Sequence, residues 1–267
     1  RRNQLGTWRG RRSGGLGRSI LLRLAYDGTE FAGYQSQTGQ RTVQGVLESA
    51  LEQLHGRPVR SVVAGRTDAG VHAEGQHVSF RTDHDGIPDD QIPAAINSRL
   101  PRDVAVLAAR RVPEGFHARY DARSRHYRYR MTVARVLLPH RRHYTWRIPF
   151  TPDLQRLNRD AAAVVGEHDF STFATRREER DNMLRHVHYA RFSARGADIE
   201  FAIGANGFLW RMVRSLTGTM LERERLRLRG DLELPPMQEL LAAGDRSRAG
   251  TTAPAWGLYL YDVEYEA

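Results

Sequence analysis

The sequence predicts an α+β protein of two ferredoxin-like, split βαβ halves, each an antiparallel sheet backed by helices, with an active-site cleft between them. Two observations carry this prediction. Apolar spacing switches between a period of two and a period near 3.6, and the order strand–helix–strand–strand–helix–strand is followed by a second, similar order. A length of 267 residues with 40% hydrophobic content is enough for two modest cores. No apolar run approaches the ~18 residues needed to span a bilayer, so no membrane partner is expected.

Residues 1–19 hold six arginines, five glycines and no acid, a composition that predicts a disordered tail. A cleaved Arg-rich presequence is the alternative, and the glycines count against the amphipathic helix it requires. The first domain is expected over 20–113. Residues 20–26 read as a strand ended by Asp27-Gly28. Thr42 reads as the N-cap of a helix that shows Val43, Val46, Leu47, Ala50, Leu51 and Leu54 on one face and stops at Gly56. Strands at 59–64 and 76–82 flank a loop at 65–75; a helix at 89–99 and a strand at 104–112 follow.

The second domain is expected over 114–267. A strand at 124–133 puts Tyr127, Tyr129, Met131 and Val133 on one face. A helix at 153–165, strands at 185–194 and 198–203, helices at 208–221 and 237–243, and a strand at 257–265 complete it. The two halves share an order of elements and no repeat in sequence.

Composition removes whole classes of chemistry. Without cysteine there is no disulfide, thiolate nucleophile or cysteine-held metal. All 41 basic residues are arginine, so neither a P-loop lysine nor a Schiff base is available. The formal charge is +10, of which the tail supplies six. The remainder is uneven: between Arg119 and Arg147 nine arginines face the single Asp121, with Tyr120, Tyr127, Tyr129, Tyr144 and Trp146 interleaved. Guanidinium groups neutralise phosphates and aromatic faces stack on unpaired bases, which suits RNA with exposed nucleotides; a solvated strand face is the plainer reading of the same run.

Asp68 lies in the loop Gly65-Arg66-Thr67-Asp68-Ala69-Gly70-Val71-His72. Taken alone, Thr-Asp-Ala-Gly is a turn. The eight residues together resemble the signature of the TruA family of tRNA pseudouridine synthases. Further matches follow in family order: Tyr26-Asp27-Gly28, Phe116-His117-Ala118-Arg119, Arg125-His126-Tyr127-Arg128-Tyr129, Gly166-Glu167-His168-Asp169-Phe170, Met212-Val213-Arg214 and Gly257-Leu258-Tyr259-Leu260.

This resemblance implies isomerisation of uridine to pseudouridine on the 3′ side of the tRNA anticodon stem-loop, by a cytoplasmic homodimer with no cofactor and no metal. Asp68 matches the nucleophile: it attacks the nucleotide, the glycosidic bond breaks, uracil turns, and C5 bonds the ribose. Arg214 matches the arginine that pairs with and orients it. Burial disfavours a carboxylate's charge, and a guanidinium opposite offsets that cost. The base must leave its stack. Arg66 stands where it fills the vacated space or holds a phosphate; Tyr127 stacks on the uracil and is a candidate proton acceptor; Leu258 closes an apolar wall. Arg119, Arg125 and Arg128 are expected on the RNA.

Departures occur at Gly33-Tyr34-Gln35-Ser36-Gln37, where the family shows a tryptophan and an arginine in place of Tyr34 and Ser36, and across the charged stretch 174–182. His72-Ala73-Glu74 mimics half of a zinc deaminase motif without its cysteines, and His140/His143 and His186/His188 lack a carboxylate partner in sequence. Two other readings stay open: an RNA-binding protein with the same groove and no chemistry, and the same chemistry on another RNA.

Overall fold

A computed structural model of the chain describes residues 17–83, 86–174, 182–231 and 233–266. The first strand, β1 (Arg18–Tyr26), starts two residues ahead of expectation. Arg18 accounts for the extension, donating to the Asp89 carboxylate and to the Ile87 carbonyl, each at 2.6 Å. Residues 1–16 of the expected tail, and most of the charged stretch at 174–182, lie outside the described residues.

Helix α1 (Val43–His55) is capped as its sequence dictates. The Thr42 hydroxyl accepts from the Gly45 N–H, and Gly56 closes the helix at φ 68°. The short β2 (Ser61–Val63) precedes β3 (His72–Thr82), which begins four residues earlier than expected. After a 3₁₀ turn at Asp89–Gln91 come α2 (Ile92–Asn97) and β4 (Val104–Val112). The second run is β5 (Ala122–Thr132), β6 (Trp146–Arg147), α3 (Leu154–Ala162), β7 (Gly166–Asp169), β8 (Leu184–Arg195), β9 (Asp198–Ala205), α4 (Met212–Leu228), α5 (Met237–Ala242) and β10 (Leu258–Tyr265). Strands β6 and β7 had no pattern of their own to announce them.

The α+β expectation holds, with one addition. Strands lie in the order β4-β1-β3-β10-β5-β9-β8-β7, with β2 on β3 and β6 on β5. Within 20–113 the order β4-β1-β3-β2 is that of a split βαβ unit, and β10-β5-β9-β8 repeats it. The two sheets are continuous. Strand β10 pairs antiparallel with β5 and parallel with the first residues of β3, Tyr259 opposite His72 and Leu260 opposite Ala73. Further along, β3 pairs with β2 instead, Phe80 opposite Ser61. One long strand thus satisfies two edges that would otherwise be open.

One large core follows this seam, and a small second cluster of Leu21, Val112 and Ala118 stands apart from it. Leu22 and Leu24 of β1 pack with Leu47 and Leu51 of α1, and Tyr127, Tyr129 and Met131 of β5 pack with Val213 and Leu216 of α4. Helix α4 is buried nearly all round from Met212 to Leu221, and it runs seven residues past its expected end. Its last turns are held by charge: Asp160 of α3 accepts from Arg223 and Arg227 of α4, both at 3.0 Å. Among the described residues no helix is long and apolar enough to cross a membrane.

The fold also contains an acid-sensitive point. His77 of β3 is half-buried, and its ring meets Tyr265 edge-on at 5.5 Å. Burial pulls the imidazole down to about 4, against the opposing pull of Asp262 and with help from Arg23 and Arg110. Between about 6.5 and about 4 the unfolded chain therefore binds the proton that the folded chain refuses, and stability falls as pH falls through that window. The loss from this one group is at most about 3 kcal/mol. Urea unfolding at stepped pH is expected to show it, and His77→Gln to flatten that part of the curve.

Candidate active site

The loop between β2 and β3 runs from Ala64 to Val71 and ends on the seam between the halves. Its shape is fixed from below. Gln76 Nε2 donates to the Gly65 carbonyl at 2.7 Å, and the Tyr26 and Thr67 hydroxyls bond each other at 2.8 Å. The Tyr34 N–H reaches the Thr67 carbonyl at 3.0 Å. The turn after β1 lies so close that a Cβ on Gly28 would stand 2.0 Å from the Val71 carbonyl, which is why the Tyr26-Asp27-Gly28 motif ends in glycine.

His72 braces the far end of the loop. Its Nδ1 accepts from the Gly28 N–H at 3.0 Å, and its Nε2 meets the carbonyls of His143 at 2.8 Å and Trp256 at 3.2 Å. The ring stacks on Tyr259, and burial holds its imidazole below the usual range. The Tyr144 hydroxyl donates to Asp27 beside it. The resemblance of His72-Ala73-Glu74 to a metal motif is thus absorbed by a strut.

On this support Asp68 points across the seam to α4. Its Oδ2 accepts from Arg214 Nη1 at 2.8 Å and its Oδ1 from the Trp210 indole N–H at 2.9 Å; Arg211 Nε stands 3.8 Å from Oδ2. The Asp68 side chain is 21% exposed and that of Arg214 13%, so the pair is partly dry and still open to an incoming group. Arg214 is itself aimed: its Nε donates to the Ala253 carbonyl at 2.8 Å, and its own carbonyl accepts the Ala253 N–H at 3.0 Å. The segment around Ala253 lies tight on α4, where a Cβ on Gly218 would come within 1.8 Å of the Thr251 carbonyl. The Thr251 N–H is tied to Glu222 at 2.8 Å.

Tyr127 is nearly buried, edge-on to Phe208 at 5.1 Å. Burial first, then the charges of Tyr26 and Asp68, push its phenol well above the ordinary value, so the hydroxyl is neutral at physiological pH. Leu258 is buried at the start of β10, opposite Tyr129, and Leu260 lies opposite Tyr127. Arg66 is exposed on the loop, with no hydrogen bond or ion pair to the described residues.

The other expected arginines are placed differently. Arg125 donates to the carbonyls of Ala64 at 3.0 Å, Asn206 at 2.8 Å, Ala122 at 2.9 Å and Arg119 at 2.5 Å, which makes it a clamp at the root of the loop. Arg119 is half-exposed, with its guanidinium 5.9 Å from the Tyr120 ring. Arg128 alternates to the opposite face of β5 from Tyr127, where it stacks on Tyr261 at 3.5 Å and faces Glu200 at 3.8 Å. Ser36 is exposed, and its N–H is held by Gln44 at 3.0 Å. Sequence reasoning missed Trp210 and Arg211, which border the matched Met212-Val213-Arg214 without belonging to it.

A partly exposed carboxylate with one oxygen on a fixed guanidinium and the other on an indole N–H has a set direction and can still be reached by an incoming group. Comparison with known proteins gives the family. A family model described as tRNA pseudouridine synthase matches residues 24–121 and 161–266. The curated "tRNA pseudouridine synthase A" of Halalkalibacterium halodurans is 43% identical over 240 residues, covering 90% of this chain and 89% of that protein. That of Anoxybacillus flavithermus is 42% identical over 252 residues, 93% of this chain and 99% of its own. That of Treponema denticola is 38% identical over 253 residues, 93% of each. Among solved structures, a chain titled "Crystal Structure of a Cbf5-Nop10-Gar1 Complex" is similar with a TM-score of 0.33 and 10% identity, over 78% of this chain and 54% of that one, a likeness too slight to build on.

Proposed function

The chain belongs to the tRNA pseudouridine synthase family, and from that premise we propose that Asp68 is the nucleophile of an enzyme acting on the 3′ side of the anticodon stem-loop. The coarser statement needs no proposal: the protein is an isomerase that converts uridine to pseudouridine in tRNA. The observation that supports Asp68 as nucleophile is its contact with an Arg214 that Ala253 holds in place, and the anticodon stem-loop is what the family resemblance implies.

In this reading the target uridine is drawn out of its stack into the cleft between 20–113 and 114–267. Arg66 fills the space or holds the phosphate; Tyr127 stacks on the base, and Leu258 closes the wall. Tyr127 enters as a neutral phenol, so it can take a proton only if its own hydroxyl proton passes to another acceptor in the same step. Arg119 offers charge to RNA, while Arg128 is turned to the other face of β5 against Tyr261 and Glu200 and the donors of Arg125 are engaged in holding the loop. Resemblance to the family implies a reaction with neither cofactor nor metal. A homodimer working in the cytoplasm completes the reading.

Pseudouridine mapping on unmodified tRNA transcripts tests the site of action. Modification confined to the 3′ arm of the anticodon stem-loop is expected, and modification confined to another arm overturns it. Sedimentation of the free enzyme tests the dimer. For Tyr127, loss of the ring in Tyr127→Ala is expected to slow isomerisation by about 10- to 100-fold, the worth of one base–aromatic stack. Tyr127→Phe, which keeps the ring, should retain most of the rate in single-turnover assays.

A further inference from the structure

Arg214 takes Oδ2 of Asp68, so Oδ1 is the oxygen left to attack. In the structure that oxygen is capped by the Trp210 indole N–H at 2.9 Å. An oxygen that gives its electron pair to carbon loses negative charge as the bond forms. A hydrogen bond to it stabilises the starting carboxylate more than the transition state, and therefore slows the step unless it is released first.

The surroundings of Trp210 are suited to release. Its ring is 39% exposed, unlike the buried side chains of Leu209 and Met212 around it. It precedes Arg211, which at φ 60° is the only non-glycine residue with left-handed backbone among the described residues. That conformation strains a residue with a side chain and persists only where neighbours hold it. The Arg211 guanidinium lies over the indole at 4.7 Å, and its buried Nε makes no hydrogen bond. A strained turn thus directs a partly exposed ring onto the attacking oxygen.

We propose that Trp210 is a latch on the nucleophile: its indole N–H caps Asp68 Oδ1 in the free enzyme and withdraws when the tRNA nucleotide enters. This rests on Asp68 being the nucleophile. Trp210 acts through Asp68 and is a positioning residue, holding the empty site in an unreactive form that substrate binding must undo.

The test is Trp210→Phe in the full chain, which keeps an aromatic ring and removes the N–H. Single-turnover isomerisation across enzyme concentrations separates half-saturation from the saturating rate. Binding no longer breaks a hydrogen bond to a charged group, so the half-saturating concentration should fall by about tenfold or more. The saturating rate should not drop below wild type. Titrating tRNA into the wild-type chain should also change tryptophan emission in a way that Trp210→Phe abolishes. Trp210→Leu, which removes ring and N–H together, should lower half-saturation as well and covers the case in which the phenylalanine variant misfolds. A saturating rate reduced tenfold at unchanged half-saturation would place the indole in the chemistry and overturn the latch. Unchanged kinetics with an unchanged emission response would overturn it too. If Asp68→Asn loses activity while Trp210→Phe matches wild type, the latch fails and the nucleophile stands; if Asp68→Asn is fully active, the underlying reading fails.

Discussion

Asp68→Asn binds tRNA with near wild-type affinity and forms pseudouridine at a rate lower by roughly 10⁴-fold or more, the scale seen when a nucleophile is removed from an enzyme. Asparagine has nearly the shape of aspartate, and its carbonyl still accepts a hydrogen bond at the position that now faces the Trp210 indole. What it lacks is the negative charge and the electron pair that forms the bond to substrate. The loop itself is anchored by Gln76, Tyr26 and Tyr34, none of which touches the Asp68 side chain, so it should keep its shape. Single-turnover isomerisation and filter binding on the same preparation separate the two quantities. Asp68→Ala should behave alike.

Arg214→Ala is expected to cost about 10²- to 10³-fold in the same assay, comparable with deleting one preorganised charged donor. It leaves a partly buried carboxylate without its partner and frees the side chain to rotate. Arg214→Lys should restore little. A lysine has one nitrogen, whereas the arginine uses Nε on the Ala253 carbonyl and Nη1 on Asp68 at once. Gly218→Ala should reproduce part of the loss from a distance, because its new Cβ collides with the Thr251 carbonyl and lifts the segment that aims Arg214. Equal rates for Arg214→Ala and wild type would remove the pair from the mechanism.

Local chemistry was readable where it decided the outcome. The α1 helix carries both of its stop signals, Thr42 and Gly56, in its own sequence, and β4 lies where its alternation put it. The buried face of β5 was legible for the same reason, which placed Tyr127 inward before any coordinates. Strand β3 was read four residues short because its first residues pair with β10, a partner nearly two hundred positions away that leaves no local trace. Helix α4 is buried on every side in its first half, so it has no apolar stripe to mark its ends, and its last turns depend on Asp160 from another helix. The site divides in the same way. Arg125 looked like an RNA contact because charge in a strand gives no hint that four carbonyls converge on it. Trp210 was missed because its role exists only through a contact 142 positions along the chain.

The central claim is that the Asp68 carboxylate bonds to the target nucleotide while Arg214 holds its other oxygen. Rapid acid quench of the enzyme with unmodified tRNA, followed by nuclease and protease digestion and mass spectrometry, measures this directly. A nucleotide-bearing peptide whose fragment ions place the added mass on Asp68, and which is absent with Asp68→Asn, is the predicted result. The same mass on any other residue, formed and consumed at the turnover rate, would contradict it.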